Sequence, residues 1–158
     1  MPVEPMPSAG TLQPQVEVSV AMLHRHGRWL VQLRDDIDNI ISPGCWGLFG
    51  GHLEPGETAE AGLRRELLEE LGLEAGPLQI WFSDRNPARQ LNVFVGPLPV
   101  SLSDLNLQEG QDLTLASLDE IVSGSIFSPR LQQTRPLASC LQLVVHRRQT
   151  LASMLHNS

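Results

Sequence analysis

An α/β or α+β sandwich is the fold class this sequence predicts, and three observations predict it. Short runs alternate apolar and polar residues between glycine-containing turns, the pattern of half-buried strands. One stretch instead repeats its apolar residues at the helical period and carries both a start and a stop signal. The chain has 158 residues, 41% of them hydrophobic, which is enough for one ordinary core and unlike a disordered or membrane-spanning composition.

Residues 1–15 are rich in proline and read as a flexible N-terminal arm, without the basic and apolar regions of a signal peptide. Val16 to Leu23 alternates and predicts a strand. His24 to Gly27 predicts a turn, with Gly27 taking the awkward dihedral, and Arg28 to Arg34 the return strand of a hairpin. Asp35 to Gly44 is a polar loop. Trp46 to Leu53 predicts a short strand interrupted by the pair Gly50-Gly51. A helix over 59–71 follows, with Thr58 as N-cap, Glu60 in the first turn, Ala59, Leu63, Leu67 and Leu71 on the apolar face, and Gly72 as stop.

Two more strands, Leu78 to Ser83 and Gln90 to Val95, are joined across Asp84 to Arg89. Gly96 to Glu109 reads as loop, Asp112 to Ala116 as a short strand and Leu118 to Val122 as one or two helical turns. Pro129 to Leu155 reads as a terminal helix with Leu137, Leu141, Val144 and Val145 facing inward. No repeat or second boundary interrupts the pattern, so residues 16–155 read as a single domain.

Charge narrows the chemistry. The net charge is -7, all 11 basic residues are arginine, and the chain holds no lysine and no tyrosine. Schiff-base catalysis and lysine-dependent ATP sites are excluded. The acidic balance argues against a nucleic acid polymer, which needs a basic footprint, and leaves a small anionic substrate reached through metal ions. Cys45 and Cys140 stand far apart with no CxxC or His/Cys cluster, so they read as two free thiols. With no span and no export signal, no membrane is expected and the default compartment is the cytoplasm.

Within the predicted helix, Glu66, Glu69 and Glu70 fall on one stripe, where like charges repel. A solvated face, the neighbouring Arg64 and Arg65, or a divalent cation would each offset that cost, and hard oxygen ligands suit Mg²⁺ or Mn²⁺. The flanking residues favour the cation. Gly51, Glu57, Arg65, Glu66, Leu67, Glu69, Glu70, Gly72 and Leu73 spell G-x5-E-x7-R-E-U-x-E-E-x-G-U, where U is Ile, Leu or Val.

That stretch resembles the box of the Nudix (MutT-like) hydrolase family at every fixed position, and the likeness extends over about residues 16–150. The resemblance implies a Nudix-type α/β/α sandwich with a mixed β-sheet between helices. It implies a hydrolase that needs Mg²⁺, with Mn²⁺ as substitute, and that cleaves a phosphoanhydride in a nucleoside diphosphate linked to another moiety. Nucleotide sugars, ADP-ribose and nucleoside triphosphates are the classes in view.

For the site, the resemblance implies Glu69 and Glu70 as first metal ligands, with the Gly50 carbonyl beside them. Glu66 is a third ligand or the base that activates water. Arg65 pairs with Glu57 and holds loop and helix in register, and these two are counted with the catalytic set. Glu109, in a loop before Gly110, is the candidate for the further glutamate that family sites often use. Arg34 is the first candidate for a phosphate contact, followed by Arg85 and Arg89. Trp46 and Trp81 read as core, and His52 as incidental.

Absent markers trim the substrate list. No tyrosine is available for the dinucleoside polyphosphate marker, the SQPWPFPxS motif of NADH pyrophosphatases is missing, and Pro87 stands near but not at the ADP-ribose position. The segment GLFGG lacks the proline that many MutT-like proteins carry before the glycines. Two alternatives use the same fold: a catalytically silent nucleotide-binding or regulatory module, and an enzyme like isopentenyl diphosphate isomerase with Cys45 as its thiol. The family's members are often homodimers, so the resemblance admits a homodimer, although no residue pattern marks its surface.

Overall fold

The computed structural model describes residues 16–156, so the arm expected over residues 1–15 lies outside the described residues. Strands β1 (Val16–Arg25) and β2 (Arg28–Leu33) form the expected hairpin. His26 and Gly27 turn it with φ of 55° and 75°. Two successive positive φ values suit the right-handed twist of the flanking strands.

Strand β3 (Trp46–Gly47) pairs antiparallel with β2, and β4 (Phe49–His52) pairs antiparallel with β1. The strand expected over 46–53 is therefore two pieces, and the break falls at Leu48 rather than at the glycine pair. The cause is a change of partner, from β2 to β1. Gly50 and Gly51 lie inside β4, opposite Val20 and Ser19. Gly50 takes φ 144° and approaches the Ser19 carbonyl so closely that a Cβ would collide with it.

Strands β5 (Gln79–Arg85) and β6 (Arg89–Pro97) form the second hairpin, longer than the apolar runs alone suggested. β6 lies parallel to β1 from Val16↔Arg89 to His24↔Pro97. β7 (Asp112–Ala116) pairs antiparallel with β2 and completes a seven-stranded mixed sheet.

Alternation along β1 divides the interior into two cores. Ala21 and Leu23 face Leu63, Leu67 and Leu71 of α1 (Ala59–Leu71), together with Phe49 and Phe94. Val20 and Met22 face the other way. There they meet Ile121 of α2 (Leu118–Ser123), Leu141 and Val144 of α3 (Ser139–His146), and Leu151 of α4 (Leu151–His156). Helices thus cover both faces of the sheet, the expected α/β/α sandwich. The expected bounds of α1 hold, because the Thr58 hydroxyl accepts from the Ala61 N–H and Gly72 closes the helix at φ 65°.

The single terminal helix expected over 129–155 does not form. A two-stranded hairpin, β8 (Ser125–Ser128) with β9 (Gln133–Pro136), comes first. Then α3 and α4 stand apart, separated by a 3-10 turn at Arg148–Thr150. Pro129 and Pro136 push the residues before them toward extended backbone. The buried Asp112 carboxylate accepts from the Ser128 hydroxyl at 2.7 Å and from the Arg130 N–H at 3.1 Å, which fixes the turn. Leu137, Leu141 and Val144 are buried as expected, but Val145 is only half-buried. Among the described residues no helix is long and apolar enough to cross a membrane.

Leu67 is fully buried between α1 and the sheet. Leu67→Ala should cost about 2–5 kcal/mol, measured as a lower urea midpoint at unchanged slope. A loss under about 1 kcal/mol would mean that this face collapses readily around the deletion.

Candidate active site

The acidic end of the site is built by α1 crossing β4. Glu66 and Glu70 stand one helical turn apart, which puts both on the side of α1 that meets the glycine pair. The absent Cβ of Gly51 makes room for the Glu66 carboxylate, which otherwise would collide with it. The Gly50 N–H donates to Glu70 Oε1 at 3.1 Å. Glu109 arrives from the loop between β6 and β7. That loop is tied to the end of α1, the Gln108 N–H donating to the Glu70 carbonyl at 2.8 Å and the Asn106 N–H to the Leu71 carbonyl at 2.9 Å.

Arg65 holds the outer side. Its Nε donates to Glu57 Oε2 at 2.7 Å and its Nη2 to Glu57 Oε1 at 2.9 Å, a bidentate pair, and Nη2 also reaches the His52 carbonyl at 3.1 Å. Its Nη1 donates to Glu66 Oε1 at 3.3 Å and Glu69 Oε1 at 3.2 Å. The Arg65 hydrogen bond, helped by the Glu54 N–H, holds the Glu57 carboxyl down to about 2.

The inner carboxylates have the opposite surroundings. Glu70 is 6% exposed. Burial first, then the nearby Glu109 charge, pushes its carboxyl far above the ordinary range. Burial also raises Glu66, against the pull of Arg65. Among the described residues no arginine or histidine forms an ion pair with Glu70 or Glu109.

These carboxylates line one end of a cleft of about 570 Å³. Arg34 from the end of β2 and Arg89 from the start of β6 line it too, with Ser139 and Cys140 from the first turn of α3. Arg34 Nε donates to the Ile41 carbonyl at 2.7 Å, and Arg89 Nη2 to Ser139 Oγ at 3.4 Å. Val16, Val18, Val20, Leu48 and Leu91 add an aliphatic stretch of wall.

The structure therefore brings together Glu66, Glu70, Glu109, Gly50, Arg34 and Arg89. It leaves four candidates outside the cleft. Glu69 is turned out and 58% exposed at its side chain, paired with Arg65. Glu57 and Arg65 hold each other rather than facing the cleft. Arg85 spends its guanidinium on Gln90 Oε1, at 3.2 and 2.6 Å, at an exposed position. His52, read as incidental, does line the cleft. Trp46 and Trp81 do not, and the Trp46 N–H donates to the Ile126 carbonyl in the core. Ser139 and Cys140 were missed because the start of α3 was hidden inside the longer helix the sequence predicted. Both cysteines are free thiols.

A divalent cation fits the acidic end. Three carboxylates converge there, two without a cationic partner, and the donors are hard oxygens. Among the described residues no three His, Cys, Asp or Glu side chains hold a metal ion by themselves. Mg²⁺ commonly takes only one or two carboxylates and completes its shell with waters and phosphate oxygens. Glu70, with Glu66 or Glu109 and the Gly50 carbonyl, would hold it.

The chain matches the NUDIX domain over residues 13–127. It is 52% identical over 46 residues to the nucleoside triphosphatase NudI of Enterobacter sp. (strain 638), a stretch covering 28% of this chain and 33% of NudI. The chain thus matches about a third of that relative's length. In fold it is similar to the MutT NUDIX hydrolase of Burkholderia pseudomallei, with TM-score 0.64 and 20% identity over 85% of this chain and 98% of that one. It is also similar to the NUDIX domain of Shewanella oneidensis NrtR, crystallised with ADP ribose, with TM-score 0.63 and 20% identity over 92% and 99% of the two chains.

Mg²⁺ or Mn²⁺ should raise the melting temperature and EDTA should reverse the rise, since a cation relieves the repulsion only in the folded chain. At free cation a hundredfold above Kd the gain is ~2.7 kcal/mol. Glu70→Gln should remove most of it. A melting temperature indifferent to cations would sink the assignment of Glu70 as a ligand.

Proposed function

The chain belongs to the NUDIX family, and on that premise we propose that it is a Mg²⁺-dependent hydrolase of a phosphoanhydride bond in a small nucleotide, with residues 16–155 as one catalytic domain. The observation that carries this reading is the charged lining of the cleft, a cluster of Glu66, Glu70 and Glu109 together with Arg34 and Arg89 beside Cys140. A diphosphate lying along it meets arginine directly and meets the carboxylates through a cation. A bound divalent cation supplies charge neutralisation at the phosphate oxygens.

The residues divide the work. Glu66 is the proposed base: Arg65 occupies its Oε1, leaving Oε2, beside Gly51, to take the proton of the attacking water. Burial raises its proton affinity, which suits a base. Glu70 and Glu109 hold the cation. Glu57 and Arg65 position the helix, and Glu69 stays at the surface, paired with Arg65. Arg34 and Arg89 bind phosphate or the group beyond it.

A nucleoside triphosphate is the first substrate class to test, because the matching relative is a nucleoside triphosphatase by name. ADP-ribose follows, since the similar NrtR domain binds it, and then nucleotide sugars. The free thiols agree with a cytoplasmic protein.

With Mg²⁺ and a panel of these substrates, release of phosphate products should favour one class. Glu66→Gln should then lower kcat by about 10²–10⁴-fold with cation binding retained. Turnover of no class with either Mg²⁺ or Mn²⁺, or a Glu66→Gln variant with normal kcat, would refute the proposal.

A further inference from the structure

Resting on that reading of the site, we infer that Gln32 is a positioning residue that holds Glu109 over the acidic end of α1. Gln32 is a polar side chain only 3% exposed, in the middle of the sheet. Its backbone is fixed on both sides, opposite Gly47 of β3 and Leu113 of β7. From that rigid frame its Nε2 donates to the Glu109 carbonyl at 3.0 Å.

The neighbouring contacts give this hydrogen bond its leverage. Glu109 sits in the long connection between β6 and β7, where no strand or helix orients it. Gly110, next to it, takes φ 100°. A Cβ there would stand 2.9 Å from the Leu33 carbonyl and 3.0 Å from Gln32 Cγ, so the loop backbone lies directly on β2. Gln111 continues the seam. Its N–H donates to the Leu33 carbonyl at 2.8 Å, and its Nε2 to the Arg34 carbonyl at 2.9 Å. Residues 109–111 are thus stitched to residues 32–34, while Gln108 is tied to the Glu70 carbonyl on the other side. The stitch fixes the distance between Glu109 and Glu70, and it ties Glu109 to the strand end that carries Arg34.

Methionine keeps the length and unbranched shape of Gln32 but cannot donate. Gln32→Met should lower kcat about 10–100-fold with KM changed less than about threefold, because a loosened group near the chemistry costs rate more than binding. The decisive comparison is a double-variant cycle with Glu109→Gln. If Gln32 acts through Glu109, adding Gln32→Met to Glu109→Gln should lower kcat no further. A general structural defect would multiply the two losses and overturn the proposal.

Gly110→Ala sets a Cβ, at a positive φ, against the Leu33 carbonyl and Gln32 Cγ, and so displaces the loop from Gln32. It should give the same kcat-selective loss and the same non-additivity, and it carries the test should Gln32→Met fold poorly. If Glu109→Gln is impaired while Gln32→Met and Gly110→Ala turn over normally, the positioning role alone fails. If Glu109→Gln itself turns over normally, the reading of Glu109 as a site residue fails, and the role of Gln32 falls with it.

Discussion

The Arg65 guanidinium is the tie on which the acidic helix depends. It joins the end of β4 through the His52 carbonyl, the loop before α1 through Glu57, and α1 through Glu66 and Glu69. A lysine could not do this, because the bidentate grip on Glu57 needs a planar fork and the further contacts need its remaining donors. The tie also sorts the carboxylates. Glu57 and Glu69 are compensated on the outer side, whereas Glu70 and Glu109 are left facing each other without a counter-charge. Glu66 stands between the groups, one oxygen held by Arg65 and the other free. The electrostatics of the site therefore follow from which carboxylates one cation can reach.

Backbone clearance decides how close those carboxylates come to the sheet. Gly50 passes so near the Ser19 carbonyl of β1 that its backbone leaves no room for a Cβ, whereas a Cβ on Gly51 would displace the Glu66 carboxylate. Losing the first clearance would force β4 from β1, and losing the second would move the Glu66 carboxylate from its place. The Gly50 N–H donated to Glu70 is the one polar compensation this approach offers a buried carboxyl. A single amide does not offset the desolvation of a charge, so burial pushes the Glu70 carboxyl above the ordinary range. A divalent cation would relieve the same unbalanced charge.

Much of this was legible in the sequence, because the relevant information is local. Thr58, Gly72 and the helical spacing between them bound α1, and the fixed positions from Gly51 to Leu73 identify the family. Glu109 was within reach of reasoning because it precedes a glycine at a suitable distance after the box. The limits were also physical. Spacing alone puts Glu66, Glu69 and Glu70 on one stripe and cannot say that Arg65 draws Glu69 outward. The C-terminal stretch has helical apolar spacing throughout. What breaks it is a long-range capture of Ser128 and Arg130 by Asp112, together with two prolines whose local effect is easily outvoted. Gln32 and Gln111 carry no motif, and their importance appears only when the loop is seen lying on β2.

The two ends of the cleft are built by different means. The acidic end comes mainly from one continuous segment, residues 50–70, joined by Glu109, and it is held by its own contacts through Arg65 and the glycines. The opposite end is assembled from the end of β2, the start of β6 and the first turn of α3, which are distant in sequence and meet only through the sheet. Residues at that end can change without disturbing the arrangement of the carboxylates, provided the stitch between residues 109–111 and 32–34 is kept. A shared box therefore marks the family and says little about the molecule acted on. Here Arg34, Arg89, Ser139 and Cys140 are set against a largely aliphatic wall, and among the described residues His52 is the one lining residue with a ring. With no Trp, Phe or Tyr in the lining among the described residues, hydrogen bonds from arginine and apolar contact are what this part of the cleft offers, and both depend on the fit of the individual substrate.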